Sequence, residues 1–378
     1  MKIHFIAEPD IQAFQAGLEQ LANDPTLQSV LVFAADANQW TADQLDPLLQ
    51  QTRLQVVGGI FPQIIHEQQN YTEGAVLVAL PWSVQWQVIP RLSDTQADFD
   101  TPLSALADAW EALEGPSTHL VLVDGLATCI ATLVESLFIN FGLERNYLGG
   151  GAGSLSFVQK PCLLTPQGLC MDAALLIRLP LASGIGVAHG WQAISEPMKV
   201  TAAHKNLVQQ LDWKPAFETY RSLVEPHAGQ AFTDSNFFDI AKAYPFGISK
   251  LDSEMVVRDP LMLKDQQSMV CVGEVPEGAF VRVLNGTPET LIAAAGQAAS
   301  LARQAWDAEQ TSAPQLACFI DCISRVLFME QQIVEEFAQV AGDYPLVGAL
   351  TLGEIANSGR DYLEFYNKTA VLGLLGKA

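Results

Sequence analysis

Uninterrupted apolar runs alternate along this chain with stretches whose apolar residues fall three and four positions apart. Residues 120–126 (LVLVDGL) form a continuous run, as a buried strand does. Behind it, Ile130, Leu133, Leu137 and Phe141 recur at helical spacing. A glycine-rich strand end follows at 146–154 (NYLGGGAGS), then another buried strand within 168–180. Residues 101–115 precede this group as a helix, with Thr101 as N-cap and Pro102 at its first position.

The same order returns near the C-terminus. A helix opens at Thr287 and Pro288, and 315–321 (QLACFID) is the strand. Residues 324–340 form the second helix, with Val326, Met329, Ile333 and Phe337 on one face. The glycine-bearing strand is 345–355 (PLVGALTLGEI), and the last strand is 367–375. A weaker copy opens the chain: helix 9–21, strand 29–36, a helix at 44–54 interrupted by Pro47, glycine turn 55–62 (QVVGGIFP) and strand 74–80. Three αβαββ units are predicted, each with a parallel strand pair and a right-handed crossover. Between them, residues 181–286 read as strands separated by Pro, Gly and Asp turns, with one helix at 215–225. The fold class is therefore α/β with mixed sheets: three such units and a β-rich insertion. Two domains are expected, 1–180 with two units and 181–378 with the insertion and the third.

Composition narrows the function. The chain has 378 residues, is 49% hydrophobic, and carries 20 basic against 42 acidic residues, a formal charge of −22. So acidic a surface repels phosphate backbones and anionic lipid heads, which argues against nucleic-acid and membrane partners. Residues 1–10 lack the features of a signal peptide, and the apolar stretch 173–188 is broken by Arg178 and Pro180. A cytoplasmic protein is expected. The six cysteines form no CxxC pair, so neither a zinc site nor a disulfide framework is indicated.

Candidate chemistry gathers at the glycine turns. Gly149, Gly150, Gly151 and Gly153, followed by Ser154, lack the Lys-Ser/Thr of a phosphate loop and do not open a helix. Their backbone amides can cradle an anion, or the glycines can serve close strand packing. Asp124 ends a buried strand, with Asp321 read as its counterpart in the third copy and Asp36 near it in the first. It can cap the next helix or fix a ligand amine. Glu354 follows the third glycine turn, placed to bind a cationic group or to do acid–base work with Asp124. His189 and His204 offer imidazoles to a metal or haem. Ser154 and Cys129 are the nucleophiles near glycine turns, open to a hydrolase or transferase reading.

Four stretches together resemble the FIST family of intracellular sensory proteins, built of a FIST N and a FIST C part. They are VDGLA with LGGGAGS, the segment 186–224, LVGALTLGEI, and YNKTAVLGLL. Position by position, Gly149, Gly150, Gly151, Gly153, Thr201, Asn206, Asp212, Pro215, Gly353 and Glu354 match. The chain departs from the pattern elsewhere. Ser154 stands where an acidic residue is usual, Trp213 where glycine is expected, and His204 where Glu is common. Residues 318–324 (CFIDCIS) replace a Ser-Cys-x-Gly-Arg run, with Arg325 read as its displaced remnant. The resemblance implies a sensor of a small ligand, such as an amino acid; a small polar ligand is expected among Asp124, Gly149, Gly150, Gly151, Gly153, Ser154, His189, Thr201, Asn206 and Glu354. No cofactor is expected, with haem on His189 or His204 as the alternative. The chain contains no transmitter segment, so signalling is expected to pass through a separate partner protein. A ligand-free scaffold is the remaining alternative.

Overall fold

A computed structural model describes residues 1–142, 145–233, 235–250, 255–357 and 362–377. Two residues of the predicted elements, Leu143 and Glu254, lie outside the described residues. Every residue of strand Ser29–Ala35 is buried, as are all of Thr118–Asp124 and Leu316–Cys322. Strands covered on both faces have no polar side to alternate with, which is why they read as continuous apolar runs.

Each of these strands is the centre of a six-stranded sheet, and the three sheets are built alike. Ser29–Ala35 runs parallel to Gln55–Phe61 and antiparallel to Ala75–Leu80, with Lys2–Ile6 beyond. Thr118–Asp124 runs parallel to Asn146–Ala152 and antiparallel to Ala173–Leu179, with Gln85–Pro90 beyond. Leu316–Cys322 runs parallel to Leu346–Thr351 and antiparallel to Ala370–Gly376, with Ala182–Ala188 beyond. Each unit therefore begins one strand earlier than the αβαββ pattern.

The sixth-strand edges are exchanged between units. The hairpin Gln63–His66/Gln69–Tyr71 of the first unit completes the third sheet. The hairpin Leu163–Thr165/Gly168–Cys170 of the second completes the first. The hairpin Glu354–Ala356/Glu364–Tyr366 of the third completes the second. The exchange closes a ring: every unit gives one hairpin and receives another, so no sheet is complete without a neighbour.

Register makes the repeat quantitative. Gly58 faces Val32, Gly149 faces Val121 and Gly348 faces Phe319 across the parallel pairs. On their outer sides the same glycines face Leu164, Ile355 and Ile65 of the received hairpins. A Cβ at Gly58, Gly149 or Gly348 would sit 2.0, 1.9 or 1.8 Å from the facing carbonyl oxygen. The recurrent glycine thus serves close backbone packing in all three units.

The first strand of the third unit, Ala182–Ala188, is separated from its helix Pro288–Glu309 by the insertion. That insertion is a nine-stranded antiparallel sheet spanning Gln192–Ala193 to Phe280–Asn285, carrying helices Ala216–Ala228 and Phe237–Ala241. No helix among the described residues is long and apolar enough to cross a membrane.

Local chemistry shifts four expected details. Helix Asp100–Glu111 starts before Thr101, because the Asp98 carboxylate accepts from the Thr101 amide and hydroxyl. Helix Ala42–Gln51 runs through Pro47, held at its start by the Thr41–Gln44 capping box. The helix predicted over 324–340 breaks at Glu330, whose φ of 51° is left-handed, into Ile323–Met329 and Ile333–Val340. Asp321 is one residue out of step with Asp124: Asp124 pairs with Ala152, and the equivalent Thr351 pairs with Cys322. One residue on a strand reverses the face. Asp321 therefore points to the helix layer, and Cys322 takes the position of Asp124.

Candidate functional site

Strands Thr118–Asp124 and Leu316–Cys322 end on the same side of the ring, and the inserted sheet covers that side. Carboxyl ends of parallel strands are where open α/β sheets leave room for ligands. A cavity of about 310 Å³ lies there. Its walls come from the turn 125–128, from Leu155 and Phe157, from the corner Leu352–Gly353, and from Asn206, Leu261 and 271–274 of the insertion. The corner needs glycine: Gly353 has φ +94°, and a Cβ there would meet the Phe365 ring at 2.5 Å. Backbone bonds Gly151 N to Gly353 O (2.8 Å) and Leu352 N to Gly151 O (2.9 Å) tie this corner to the second unit.

The walls are mainly apolar, and the floor is polar. The turn before strand Ala370–Gly376 holds Lys368 at φ 54°, and Asn367 in that turn lines the site. Asn367 is 1% exposed and lines the cavity, and neither Oδ1 nor Nδ2 has a hydrogen-bond partner. Asp259, 3% exposed, also lines it; Oδ2 binds Lys368 Nζ at 3.0 Å while Oδ1 has no hydrogen-bond partner. Burial raises the Asp259 pKa and Lys368 opposes the rise. An unpaired buried amide or carboxylate oxygen costs about 1–3 kcal/mol, which a ligand that bonds it would recover.

Cys322 lines the same floor and accepts from Ser324 Oγ at 3.0 Å. Across the strand pair it faces Thr351, whose hydroxyl donates to Glu354 Oε1 at 3.0 Å. The Thr369 amide donates to Glu354 Oε2 at 3.2 Å. Burial pushes the fully buried Glu354 carboxyl up to about 8, against the hydrogen bonds of Thr351, Thr369 and the Cys322 thiol. Burial, with Glu354 beside it, holds the Cys322 thiol far above its ordinary range.

Below the floor lies a buried ion cluster. Arg325 has no exposure; it meets Glu336 at 2.6 Å and Asp321 at 3.1 Å. Its remaining N–H groups reach the carbonyls of His189 (2.8 Å), Leu291 (2.9 Å) and Lys368 (3.2 Å). Burial works against the Arg325 charge, and Glu336 and Asp321 outweigh it. Burial and the nearby Glu336 raise the Asp321 carboxyl well above its usual range. Arg325 thus anchors the turn carrying Asn367 to the helix that starts at the Cys322 end of the site.

The residues singled out in the sequence scatter around this cavity. Asn206 lines it and binds the Cys271 carbonyl through Nδ2 at 3.1 Å. Glu354 sits one residue from the lining Gly353. Asp124 is not a lining residue; its carboxylate accepts from Leu126 N, Gln159 Nε2 and Asp172 N, holding three loop segments together. Gly149, Gly150 and Gly151 lie in strand Asn146–Ala152, and a Cβ at any of them would strike neighbouring backbone. The Gly153 amide binds Ile60 O at 2.8 Å. Ser154 Oγ accepts from Ser156 N, and Thr201 Oγ1 accepts from Trp213 N. His189 Nδ1 accepts from Trp191 N at 2.9 Å, and burial with Arg325 lowers its pKa to about 3.

Neither His189 nor His204 is among the cavity's lining residues, and His204 is exposed. These positions do not fit haem iron ligated in this cavity. Among the described residues no group of three or more His, Cys, Asp or Glu is placed to hold a metal. Cys129 Sγ lies 3.7 Å from the Thr128 hydroxyl. Asp259, Cys322 and Asn367 are not among the site residues that the sequence predicts. The available signals were an Asp within the apolar strand run VVRDPLML and a Cys four residues after Cys318 on one buried strand. Counted from Cys322, Arg325 is also in place for a Ser-Cys-x-Gly-Arg run.

Two other concavities, of about 360 Å³ beside His119 and about 760 Å³ on the inserted sheet, have no comparable unpartnered buried group among their lining residues. A family model described as the FIST N domain matches residues 28–214, and one described as the FIST C domain matches 216–357. Their border falls inside the inserted sheet. No curated protein matches the chain.

Proposed function

The chain belongs to the FIST family, a family of sensory and signal-transduction domains, and on that premise we propose that it binds one small ligand in the 310 Å³ cavity. The ligand has an apolar body and a hydrogen-bonding head, amino acids being one candidate class. The observation that carries this reading is the Asn367 amide, buried, unpartnered and facing a cavity with mainly apolar walls. Asp259 Oδ1 offers a second acceptor beside it. Most small-molecule sites have this form: an apolar hollow with a few convergent polar groups.

The cavity's walls come from the second unit, the third unit and the insertion, so an occupant contacts all of them at once. A ligand that fits one arrangement of ring and inserted sheet better shifts their equilibrium toward it. The signal passes to a separate partner protein in the cytoplasm. Phe157 (61% exposed), Leu327 (42%) and Phe238 (38%) at the cavity mouth are apolar surface on which that arrangement is legible.

The test is a thermal-shift panel of amino acids, carboxamides and short-chain carbonyl compounds on the full chain and on Asn367→Leu. A ligand at a hundred times its Kd stabilises by about 2.7 kcal/mol. A stabilising compound whose effect Asn367→Leu abolishes supports the reading. A panel that shifts both proteins equally, or neither, counts against it.

A further inference from the structure

We propose that Cys322 adds covalently to the carbonyl carbon of an aliphatic aldehyde held in this cavity, with Glu354 carrying the proton and Asn367 donating to the carbonyl oxygen. The inference rests on the cavity being a ligand site and goes on to name the chemistry done there.

Cys322 and Asn367 line the cavity, and Glu354 is linked to Cys322 through Thr351. The Cys322 side chain lines the cavity and accepts from Ser324 Oγ, and across the strand pair it faces Thr351, which donates to Glu354. Glu354 is held at both oxygens, by Thr351 Oγ1 and Thr369 N, which fixes the orientation of its carboxyl beside Thr351. Asn367 brings an N–H donor with no protein acceptor to the same floor. A thiol needs a base before it attacks, since the thiolate is the nucleophile. Burial leaves this thiol protonated at rest. A carboxyl poised near neutrality is the group that can take the proton and return it.

The step balances without a co-reactant. The S–H bond breaks and its proton goes to the Glu354 carboxylate. Sulfur bonds to the aldehyde carbon as the C=O π pair moves to oxygen, which the Asn367 N–H stabilises. Glu354 then returns the proton to that oxygen. The product is a thiohemiacetal on Cys322, and reversal restores thiol and aldehyde. The aliphatic walls, Leu126, Leu155, Leu261 and Leu352, select the chain.

The experiment follows alkylation of the full chain by N-hexyl iodoacetamide, read by intact mass and peptide mapping, with hexanal or hexanol as competitor. Cys322 should be labelled first, and hexanal should slow that labelling by at least about tenfold while hexanol does not. Asn367→Leu should keep the alkylation, which forms no oxyanion, and lose the hexanal protection. Glu354→Gln should slow alkylation at Cys322 about tenfold or more and flatten its pH profile around neutrality. Equal protection by hexanal and hexanol would leave the cavity a ligand site and overturn the covalent step. Labelling of Cys322 no faster than of the half-buried Cys170, with protection by neither compound, would overturn both.

Discussion

The Arg325 guanidinium and the Glu336 carboxylate meet 2.6 Å apart with no exposure of either side chain. Removing one member of such a pair strands a charge in the core at a cost of about 3–5 kcal/mol. Arg325→Met should therefore lower the urea midpoint strongly. Arg325→Met with Glu336→Leu should recover most of the loss, because the remaining Asp321 is already biased to its neutral form. A double variant as unstable as the single would mean that the carbonyl bonds to His189, Leu291 and Lys368 carry the effect.

The glycine trio makes a second prediction. Gly58→Ala, Gly149→Ala and Gly348→Ala each drive a Cβ to 2.0 Å or less from backbone oxygen, so each should unfold the chain or lower its melting temperature sharply. Gly296→Ala is the contrast. It lies within helix Pro288–Glu309, its nearest neighbour is the flexible end of Gln339 at 3.1 Å, and alanine there should be neutral or gain up to about 1 kcal/mol. Thermal melts of the four variants decide it.

Hairpin exchange predicts one cooperative unfolding transition. A fragment of residues 1–180 would lack the Glu354–Tyr366 hairpin that covers Asn146–Ala152, and its own hairpin Gln63–Tyr71 would lose the strand Leu346–Thr351. Such a fragment should show strand content by circular dichroism but poor amide dispersion by NMR. A fragment as well dispersed as the full chain would show that exchange adds little.

Glu354 gives a pH dependence with a defined sign. Its folded pKa, pushed up to about 8 by burial, is above the ordinary carboxyl value of 4.5. The folded state then binds the extra proton between these values, so this contribution is full below the lower one and is lost as pH rises through the upper. Glu354→Gln should remove that part of the decline. His189, lowered to about 3, acts in the opposite sense and only as pH falls below 6.5. Wild-type and variant unfolding free energies that stay parallel from pH 5 to 8 would contradict the shifted carboxyl.

The repeat was legible because its signals are local. Runs such as LVLVDGL and the spacing of Ile130, Leu133 and Leu137 depend on burial of one strand or one helix face. The exchange was not legible. Ile355 facing Gly149 joins residues far apart in sequence, and no local pattern encodes which sheet edge a short hairpin completes. The candidate site divides the same way. Glu354 and Asn206 stood out beside glycines and in a matched motif. Asp259, Cys322 and Asn367 are single residues in apolar strands or turns, and only the tertiary fold brings them to one floor. Asp124 was read as either a cap or a ligand group, and its carboxylate holds loop segments through Gln159 and Asp172, partners that no local pattern encodes.

Native mass spectrometry of the freshly purified full chain, set against its denatured mass and against Asn367→Leu, tests the ligand site most directly. A retained or titrated small molecule, sized for a cavity of about 310 Å³, should appear on the wild type and be lost from Asn367→Leu. The same adducts on both proteins, or a bare mass for both across the full ligand panel, would contradict a ligand site at Asn367.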